Sequence, residues 1–414
     1  MDRPDLDECV GGVLMMPQGS PKHLSGANEA PLIRKRRILL VVPYPVFPTA
    51  GGGQIRMVGL ARGMARAGQR VTVLTPYHPA QKSEALQNEP FELQQVPYFF
   101  PMHTLLQGRL LPYHVIASFH PGLKLLVTRI MRDFDVVIFS QVAFASLLAC
   151  IPDGVQVGYD AQNVEFDYVR HECRHPWIAE RVGRRIRRLE QALVERSNHV
   201  FSVSSNDRER LMDLYAMPGE KCTLAPNGIS KIHPTSDDAA AMEARFPGMA
   251  SFSRKAIYSG SDVEHNRIAV QYLLEHVAPH AKDVGFVIQG GCGQRFAHQS
   301  TLPNVFMDTD HRSFRRYAVA GTIGLNLVVT GSGTNLKLLH YLSHGLPVLS
   351  TPFGVRGFSD LESSVLVRER DRFVDALSDG EFPEPVESEY LWDHYSWDRI
   401  ARDMVETLEV SSPS

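Results

Sequence analysis

Short apolar runs alternate with stretches of helical periodicity along most of the chain. The first series of runs comprises ILLVV at 38–42, VTVL at 71–74, VVIF at 136–139, VQVGY at 155–159 and HVFSVS at 199–204. The second comprises AIYSG at 256–260, VGFVIQGG at 284–291, NVFMD at 304–308, LNLVV at 325–329 and PVLST at 347–351. Strands that alternate with helices form parallel sheets covered on both faces. The pattern therefore predicts two α/β domains.

A polar stretch separates the two series. Residues 225–255 are rich in Pro, Gly, Ser and Asp and contain no long apolar run, which is typical of a linker. The predicted organisation is a disordered leader at 1–34, domains at 35–225 and 226–390, and a C-terminal helix at 391–414 that can cross back to the first domain. The leader contains no apolar core, so we expect neither a secretory signal nor a membrane span there.

Composition excludes several classes of protein. The chain has 414 residues, of which 43% are hydrophobic, and a net charge of -3. This profile excludes a fully disordered chain, and the small net charge gives no overall attraction to nucleic acid. The 5 cysteines form no C-x-x-C pair, and an odd number at irregular spacing is a poor disulfide framework, so a reducing cytoplasm is expected.

A glycine cluster follows the first predicted strand. Gly51, Gly52 and Gly53 precede a predicted helix, where backbone amides can approach a ligand and the helix N-terminus favours negative charge. The cluster is not a G-x-G-x-x-G motif, and no acidic residue closes the second strand, so a dinucleotide site is disfavoured. A tight turn without a ligand is an equally good interpretation.

The segment from Leu325 to Phe358 is the richest in candidate chemistry. A strand leads into TGSGT at 330–334, and a helix is predicted over 335–343. Gly345 ends this helix, and the next strand begins after Pro347. The loop therefore lies at the carboxyl end of a strand and at a helix N-terminus, where α/β proteins bind anions. Lys337 falls in the first helical turn, where it can meet a phosphate. A purely structural glycine turn is the alternative.

Five motifs, taken in order, resemble those of the GT-B glycosyltransferases of family 4. They are the strand, glycine loop and helix of 35–75, DAQNVEFDYVR at 160–170, VFSVSSNDRERL with APNGI within 200–229, GSGTNLKLL at 331–339 and GLPVLSTPFGVRG at 345–357. The resemblance covers about residues 35–400. It implies two Rossmann-like domains facing a cleft, and a retaining, metal-independent enzyme that moves a sugar from a nucleotide-sugar donor to an acceptor hydroxyl.

The resemblance also implies site residues. The expected donor-binding set is Gly52, Gly53, Gly260, Ser332, Gly333, Thr334, Asn335, Lys337, His340 and Arg356, and the catalytic candidates are Asn163 and Glu165, which would position the acceptor or sugar. A buried Glu165 that caps a helix is equally compatible with the pattern. No metal and no cofactor are expected, because the nucleotide-sugar is a substrate.

Several positions depart from the family pattern. Ser332 and His340 stand where relatives have the two glutamates of E-x7-E, and Gln162 replaces the histidine of H-N-x-E. Relatives often carry Arg and Lys after the first strand of the second domain, whereas this chain has SGS at 259–261 and His-Asn at 265–266. Lys337, Arg356 and backbone amides would then neutralise the charge of the diphosphate.

Three functions remain open from the sequence. The first is the glycosyltransferase, with a carbohydrate, lipid-linked or small-molecule acceptor, acting in glycan, glycolipid or natural-product synthesis. The second is a nucleotide-sugar epimerase of the same fold, which product analysis would distinguish. The third is a non-catalytic or partner-dependent homologue, as the departures at Gln162, Ser332 and His340 suggest. No nucleic-acid partner is expected.

Two further signals carry less weight. Asp308 and Asp310 form a D-x-D sequence, which holds a divalent metal in another glycosyltransferase fold, but here a surface loop after a strand is expected. The basic stretch 180–196 has Val182, Ile186, Leu189 and Leu193 on one face. A core-packed helix with a solvated arginine face is favoured, and a peripheral contact with the inner face of a membrane is the alternative.

Overall fold

The computed structural model contains two parallel β-sheets flanked by helices. It describes residues 34–47, 49, 51–77, 88–97, 121–172, 176–230, 244–297, 302–308, 322–331 and 333–410. The leader predicted at 1–34 therefore lies outside the described residues except for Arg34.

The first sheet has seven strands in the order β3-β2-β1-β4-β5-β6-β7. The strands are β1 (Arg37–Val41), β2 (Arg70–Tyr77), β3 (Glu92–Pro97), β4 (Val136–Ser140), β5 (Gln156–Ala161), β6 (His199–Ser202) and β7 (Cys222–Leu224). β4 and β5 are buried at every position, as expected for central parallel strands with both faces covered. All pairings are parallel, so the carboxyl ends of these strands lie at one edge.

Among the described residues, five helices accompany the first sheet. They are α1 (Gly52–Arg66), α2 (Pro121–Ile130), α3 (Glu165–Glu172), α4 (Pro176–Arg196) and α5 (Ser205–Tyr215). α5 starts at an N-cap, because the Ser204 hydroxyl accepts from the Asp207 backbone amide at 3.1 Å. α4 buries Val182, Ile186 and Leu193 and exposes its arginines, as the preferred interpretation of the basic stretch predicts.

The second sheet has six strands in the order β10-β9-β8-β11-β12-β13. The strands are β8 (Arg254–Ser259), β9 (Val284–Gln289), β10 (Val305–Asp308), β11 (Thr322–Asn326), β12 (Val348–Ser350) and β13 (Leu366–Val367). Helices α6 (Glu264–Tyr272), α7 (Leu336–Ser343) and α8 (Phe373–Asp379) accompany it. The last strand of the first sheet ends at Leu224 and β8 begins at Arg254; the domain boundaries themselves stay a prediction.

The chain ends in two helices, α9 (Ser388–Tyr395) and α10 (Trp397–Val410), and α10 packs on α1 of the first sheet. The packing is close because α1 carries glycine there: a Cβ on Gly59 would lie 2.4 Å from the Trp397 ring. Ile229 donates to the Tyr395 carbonyl at 2.7 Å, and Trp397 donates to the Ile229 carbonyl at 3.2 Å. The segment after β7, at Ile229, is thus hydrogen-bonded to the junction between α9 and α10.

The structure departs from the predicted strands mainly at sheet edges. β3, β7 and β13 were not predicted, because they are short or mostly polar edge strands that need little apolar burial. The strand predicted at 325–329 is instead β11, which starts three residues earlier and ends at Asn326. After β4 the chain forms a 3₁₀ helix at Val142–Cys150, which is kinked at Phe144.

Candidate functional site

A cleft of about 670 Å³ lies between the carboxyl ends of the two sets of strands. The first sheet contributes the loops after β1, β4 and β5, and the second contributes the loops after β8, β9 and β11 together with α7. In parallel α/β proteins this edge is where ligands bind, since loops and helix N-termini converge there. The cleft is therefore the candidate site.

The glycine loop forms one wall of the cleft. Gly51, Gly52 and Gly53 line it at the start of α1. Gln54 fixes the turn: its side-chain oxygen accepts from the Gly51 amide at 2.9 Å, and its amide nitrogen donates to the Pro45 carbonyl at 2.7 Å. Because no acidic residue occupies the first turn of α1, its N-terminus keeps its partial positive charge.

The loop before α7 reaches across to the first sheet. Gly333 has φ +64°, and a Cβ there would lie 2.8 Å from Asn163 Oδ1, so both the backbone conformation and the close approach require glycine. Asn227 Nδ2 donates to Thr334 Oγ1 at 2.8 Å. Gly333 and Thr334 thus bring the second sheet's loop into direct contact with loops of the first.

Lys337 lies in the cleft wall with polar but uncharged partners. Its Nζ donates to Tyr258 Oη at 2.8 Å and to Asn266 Oδ1 at 2.7 Å, and it lies 4.1 Å from the centroid of the Tyr258 ring. Burial lowers the pKa of Lys337 to about 7, an effect only partly offset by Cys292. Near neutral pH the amine therefore gains or loses its proton easily.

His340 also lines the cleft, one turn after Lys337 on α7. Its ring is exposed to the cleft and contacts His344, with the ring centroids 4.8 Å apart. The dense surroundings of the cleft, and then the neighbouring His344, lower the pKa of His340, so the ring is neutral at pH 7. A neutral imidazole offers one donor and one acceptor to a ligand.

Asn163 and Glu165 occupy different environments. Asn163 lines the cleft, whereas Glu165 is fully buried behind it at the start of α3. Asn163 Nδ2 donates to Glu165 Oε1 at 3.4 Å. Burial, followed by the charge of Glu190, raises the pKa of Glu165 to about 8. Glu165 is therefore protonated at pH 7. It does not face the cleft, and it contacts the cleft residue Asn163 through a hydrogen bond.

Glu190 anchors the start of α3. Its carboxylate accepts from the Glu165 and Phe166 amides at 2.9 and 3.1 Å, and from the Tyr159 and Tyr215 hydroxyls at 2.9 and 2.7 Å. Glu190, and not Glu165, therefore caps the helix. No sequence motif marks this role, because Glu190 lies in a different helix from the amides it binds.

Arg56 and Asp160 form a buried ion pair at the base of the cleft. Arg56 is 1% exposed and Asp160 is 0% exposed. The Arg56 guanidinium donates through Nε to both Asp160 oxygens at 3.1 Å and through Nη1 to the Pro226 carbonyl at 2.9 Å. Arg56 holds the loop at 225–229 through the Pro226 carbonyl. Because Asp160 neutralises the charge of Arg56, other groups of the cleft must bind an anion.

Most of the predicted site residues meet in this cleft. Those that line it are Gly52, Gly53, Asn163, Gly260, Gly333, Thr334, Asn335, Lys337 and His340. Arg356 lies behind the lining, where it donates to the Gly333 carbonyl at 2.5 Å and shapes the loop. Glu165 lies below it, and Ser332 lies outside the described residues.

Sequence reasoning missed several polar residues of the cleft. Tyr44, Gln141, Asn227 and Gln289 line it, and none of them was among the predicted site residues. Gln141 has φ +73°, which is uncommon for a residue other than glycine. Backbone strain of this kind clusters at binding sites. Gln162, noted only as a departure, accepts from the Tyr44 hydroxyl at 3.1 Å and donates to Ser140 Oγ at 2.6 Å.

Asp308 is buried at the end of β10, with Arg245 3.6 Å away. Thr309 and Asp310, the remainder of the D-x-D sequence, lie outside the described residues. Within the described ranges no group of three His, Cys, Asp or Glu side chains is arranged to hold a metal. The helices that the structure describes include none long and apolar enough to cross a bilayer.

Comparison with known proteins agrees with the sequence resemblance. Residues 50–231 match the family model described as Glycosyltransferase Family 4. No curated protein matches the sequence. Together with the solved structures described next, the family match confirms the resemblance to family 4 glycosyltransferases.

Solved structures of similar fold cover nearly the whole chain. The structure of HepE from Anabaena in complex with UDP and glucose has 12% identity and a TM-score of 0.65, covering 91% of this chain and 100% of that one. The catalytic domain of starch synthase IV from Arabidopsis thaliana, bound to ADP and acarbose, has 11% identity and a TM-score of 0.65, covering 91% and 99%. Sucrose-phosphate synthase from Thermosynechococcus elongatus has 16% identity and a TM-score of 0.59, covering 92% and 96%. The chain has the GT-B fold.

Proposed function

We propose that this chain, with its GT-B fold and its match to family 4 over residues 50–231, is a retaining glycosyltransferase that uses a nucleotide-sugar donor. The observation that carries the proposal is the convergence of Lys337, the α7 loop and the α1 glycine loop on one cleft. Backbone amides, a helix N-terminus and an amine favour an anionic ligand such as a nucleoside diphosphate. HepE and starch synthase IV were solved with UDP and ADP respectively, which supports a nucleotide ligand here.

The proposed reaction needs the protein mainly for positioning and charge stabilisation. The bond between the anomeric carbon and the leaving phosphate breaks, and a bond to the acceptor oxygen forms on the same face of the sugar. The acceptor's proton passes to a phosphate oxygen. Lys337 and backbone amides stabilise the leaving diphosphate, Asn163 positions the sugar or acceptor, and Glu165 holds Asn163.

A panel of nucleotides and nucleotide sugars tests this proposal. We expect one donor to raise the melting temperature, because a ligand at 100 times its dissociation constant stabilises the fold by about 2.7 kcal/mol. Release of nucleoside diphosphate without an acceptor would support catalysis, binding without release would support a non-catalytic homologue, and an epimerised sugar would support the epimerase. If no nucleotide or nucleotide sugar binds, the proposal fails.

The proposed activity is metal-independent, because the cleft offers an amine and helix N-termini to the diphosphate. We expect transfer to survive added EDTA at full rate. The control is the same assay with excess manganese after chelation. Loss of transfer with EDTA and its recovery with manganese would contradict this expectation and bring Asp308 back as a candidate ligand.

We propose that His340 contacts the ribose of the donor, since it lies one turn beyond Lys337 on the cleft side of α7. His340→Ala should raise the KM for the donor more than it lowers kcat, because a contact kept in both ground and transition states contributes uniform binding. Steady-state kinetics measures both constants. His280→Ala, at an exposed position, is the control, and unchanged constants for His340→Ala would make His340 structural.

For the acceptor we propose a lipid-linked substrate at the inner face of the membrane. Trp177, Arg181, Arg184 and Arg188 are exposed at helical spacing along α4, with Trp177 69% exposed. A basic stripe with an aromatic residue at its end complements an anionic bilayer surface.

Vesicle sedimentation tests this membrane contact. Arg181, Arg184 and Arg188 changed together to Gln should weaken binding to phosphatidylglycerol vesicles by roughly tenfold or more, because each basic residue near such a surface contributes about 1 kcal/mol. The matched control changes the exposed Arg368, Arg372 and Arg402 to Gln. Equal binding by the two triple variants would refute the contact, as would equal binding of wild type to phosphatidylcholine.

A further inference from the structure

Three side chains in and just behind the cleft wall form a closed hydrogen-bonded triangle. Lys337 Nζ donates to Tyr258 Oη and to Asn266 Oδ1, and the Tyr258 hydroxyl donates to the same Asn266 oxygen at 2.8 Å. Asn266 is 4% exposed, and its Nδ2 donates to the Ser261 carbonyl at 3.1 Å, which fixes the orientation of the amide. The three residues come from α7, β8 and α6. The triangle therefore holds the amine in place before any ligand arrives.

The triangle leaves the charge of an ammonium group uncompensated. Both hydrogen-bond partners of Nζ are neutral, and among the described residues no carboxylate contacts it. The titratable groups on the surrounding elements are the Tyr258 hydroxyl on β8, the Cys292 thiol after β9, His265 on α6, and Tyr341 and His340 on its own helix. None of these five groups is an anion at neutral pH. The two acids beside them, Asp262 and Glu264, are paired with Arg267. In such surroundings the protonated form of Lys337 is disfavoured relative to the neutral amine until an anion binds.

The two partners also leave one donor unused. An ammonium carries three N–H donors, and two of them go to Tyr258 and Asn266. Lys337 lines the cleft, so the third donor is available to a phosphate oxygen there. A bound diphosphate would supply the missing negative charge and would favour the protonated amine.

We propose that Tyr258 and Asn266 are positioning residues that hold the Lys337 amine ready for the donor's diphosphate, and that binding of the donor is coupled to uptake of a proton by this amine. The inference rests on the proposed function, since it takes the anion to be the diphosphate of a nucleotide sugar. The depressed pKa of Lys337, about 7, agrees with the geometry. Donor affinity consequently falls as pH rises above neutrality.

Calorimetry measures the coupling directly. UDP-glucose is titrated into the protein in pairs of buffers with different ionisation enthalpies, and ADP-glucose is used if UDP-glucose does not bind. The diphosphate of these probes stays fully ionised across the neutral range, so a buffer-dependent heat reports protons taken up by the protein. Wild type should take up a measurable fraction of one proton above pH 7, and Lys337→Arg should take up none, because a guanidinium is always protonated.

Two further variants test the positioning role. Tyr258→Phe and Asn266→Ala each remove an acceptor from the ammonium, so proton uptake should begin at lower pH and donor affinity should fall roughly three- to tenfold. A merely structural role would lower stability without moving the pH profile. Circular dichroism establishes that each variant is folded, and if Asn266→Ala does not fold, the test rests on Tyr258→Phe.

The outcomes separate the two proposals. Failure of every nucleotide sugar to bind refutes the proposed function and this inference with it. Binding with no proton uptake by wild type, or with equal uptake by wild type and Lys337→Arg, refutes this inference alone. Uptake that is present in wild type, absent in Lys337→Arg and shifted in Tyr258→Phe supports it.

Discussion

Replacing Glu190 by glutamine is expected to lower the free energy of unfolding by roughly 2–5 kcal/mol. The buried carboxylate accepts four hydrogen bonds, two from backbone amides that cannot reorient and two from tyrosine hydroxyls. An amide NH₂ at either oxygen position would face a donor, and a buried donor without an acceptor carries its full desolvation penalty. Denaturant unfolding of Glu190→Gln measures the loss, and a change below about 0.5 kcal/mol would contradict the role given to Glu190.

Glu165→Gln is the matched control, with the same chemical change in the same buried network. Wild-type Glu165 has a pKa raised to about 8 by burial and then by Glu190, whereas in the unfolded chain a glutamate titrates near about 4.3. Between these values the folded state keeps a proton that the unfolded state has lost, so stability falls as pH rises, by up to about 1.4 kcal/mol per unit.

Glutamine at 165 has no proton to lose. Between pH 5 and pH 8 wild type should therefore lose stability that Glu165→Gln keeps, so the stability of Glu165→Gln relative to wild type should rise with pH. Denaturant unfolding at both pH values tests this, and parallel behaviour of Glu165→Gln and wild type would show that Glu165 is ionised in the folded protein.

Lys337→Ala is expected to weaken donor binding by roughly ten- to a hundredfold. A hydrogen bond to a charged group contributes roughly 1.5–3 kcal/mol, and about 1.4 kcal/mol corresponds to tenfold in affinity. Arg56 also lines the cleft, but its charge is matched by Asp160. Lys337→Ala should therefore lower the affinity for the donor, while the affinity for the acceptor barely changes.

Calorimetry on folded Lys337→Ala decides this prediction. Lys282→Ala, at an exposed position outside the cleft, is the control and should bind the donor as wild type does. If Lys337→Ala binds the donor within about twofold of wild type, the amine does not meet the phosphates. Arg356, which now holds the Gly333 carbonyl, would be the next residue to change.

The sequence by itself determined the two parallel sheets and the position of the donor loop. A central strand such as β4 is buried on both faces, so it is a nearly continuous apolar run that is visible in the sequence. The loop before α7 was visible for a similar reason. Glycine, proline and helix periodicity are local properties, and a helix N-terminus after a parallel strand is placed at the ligand-binding edge by topology.

Only the tertiary structure decided which groups share an environment. Asn163 and Glu165 are two residues apart, yet one faces the cleft and the other is buried above the Glu190 carboxylate. Lys337 meets Tyr258 and Asn266 across about 70 to 80 residues of chain. Burial and neighbouring charge set the protonation of Glu165 and Lys337, and both depend on atoms distant in sequence, so no local pattern carries that information.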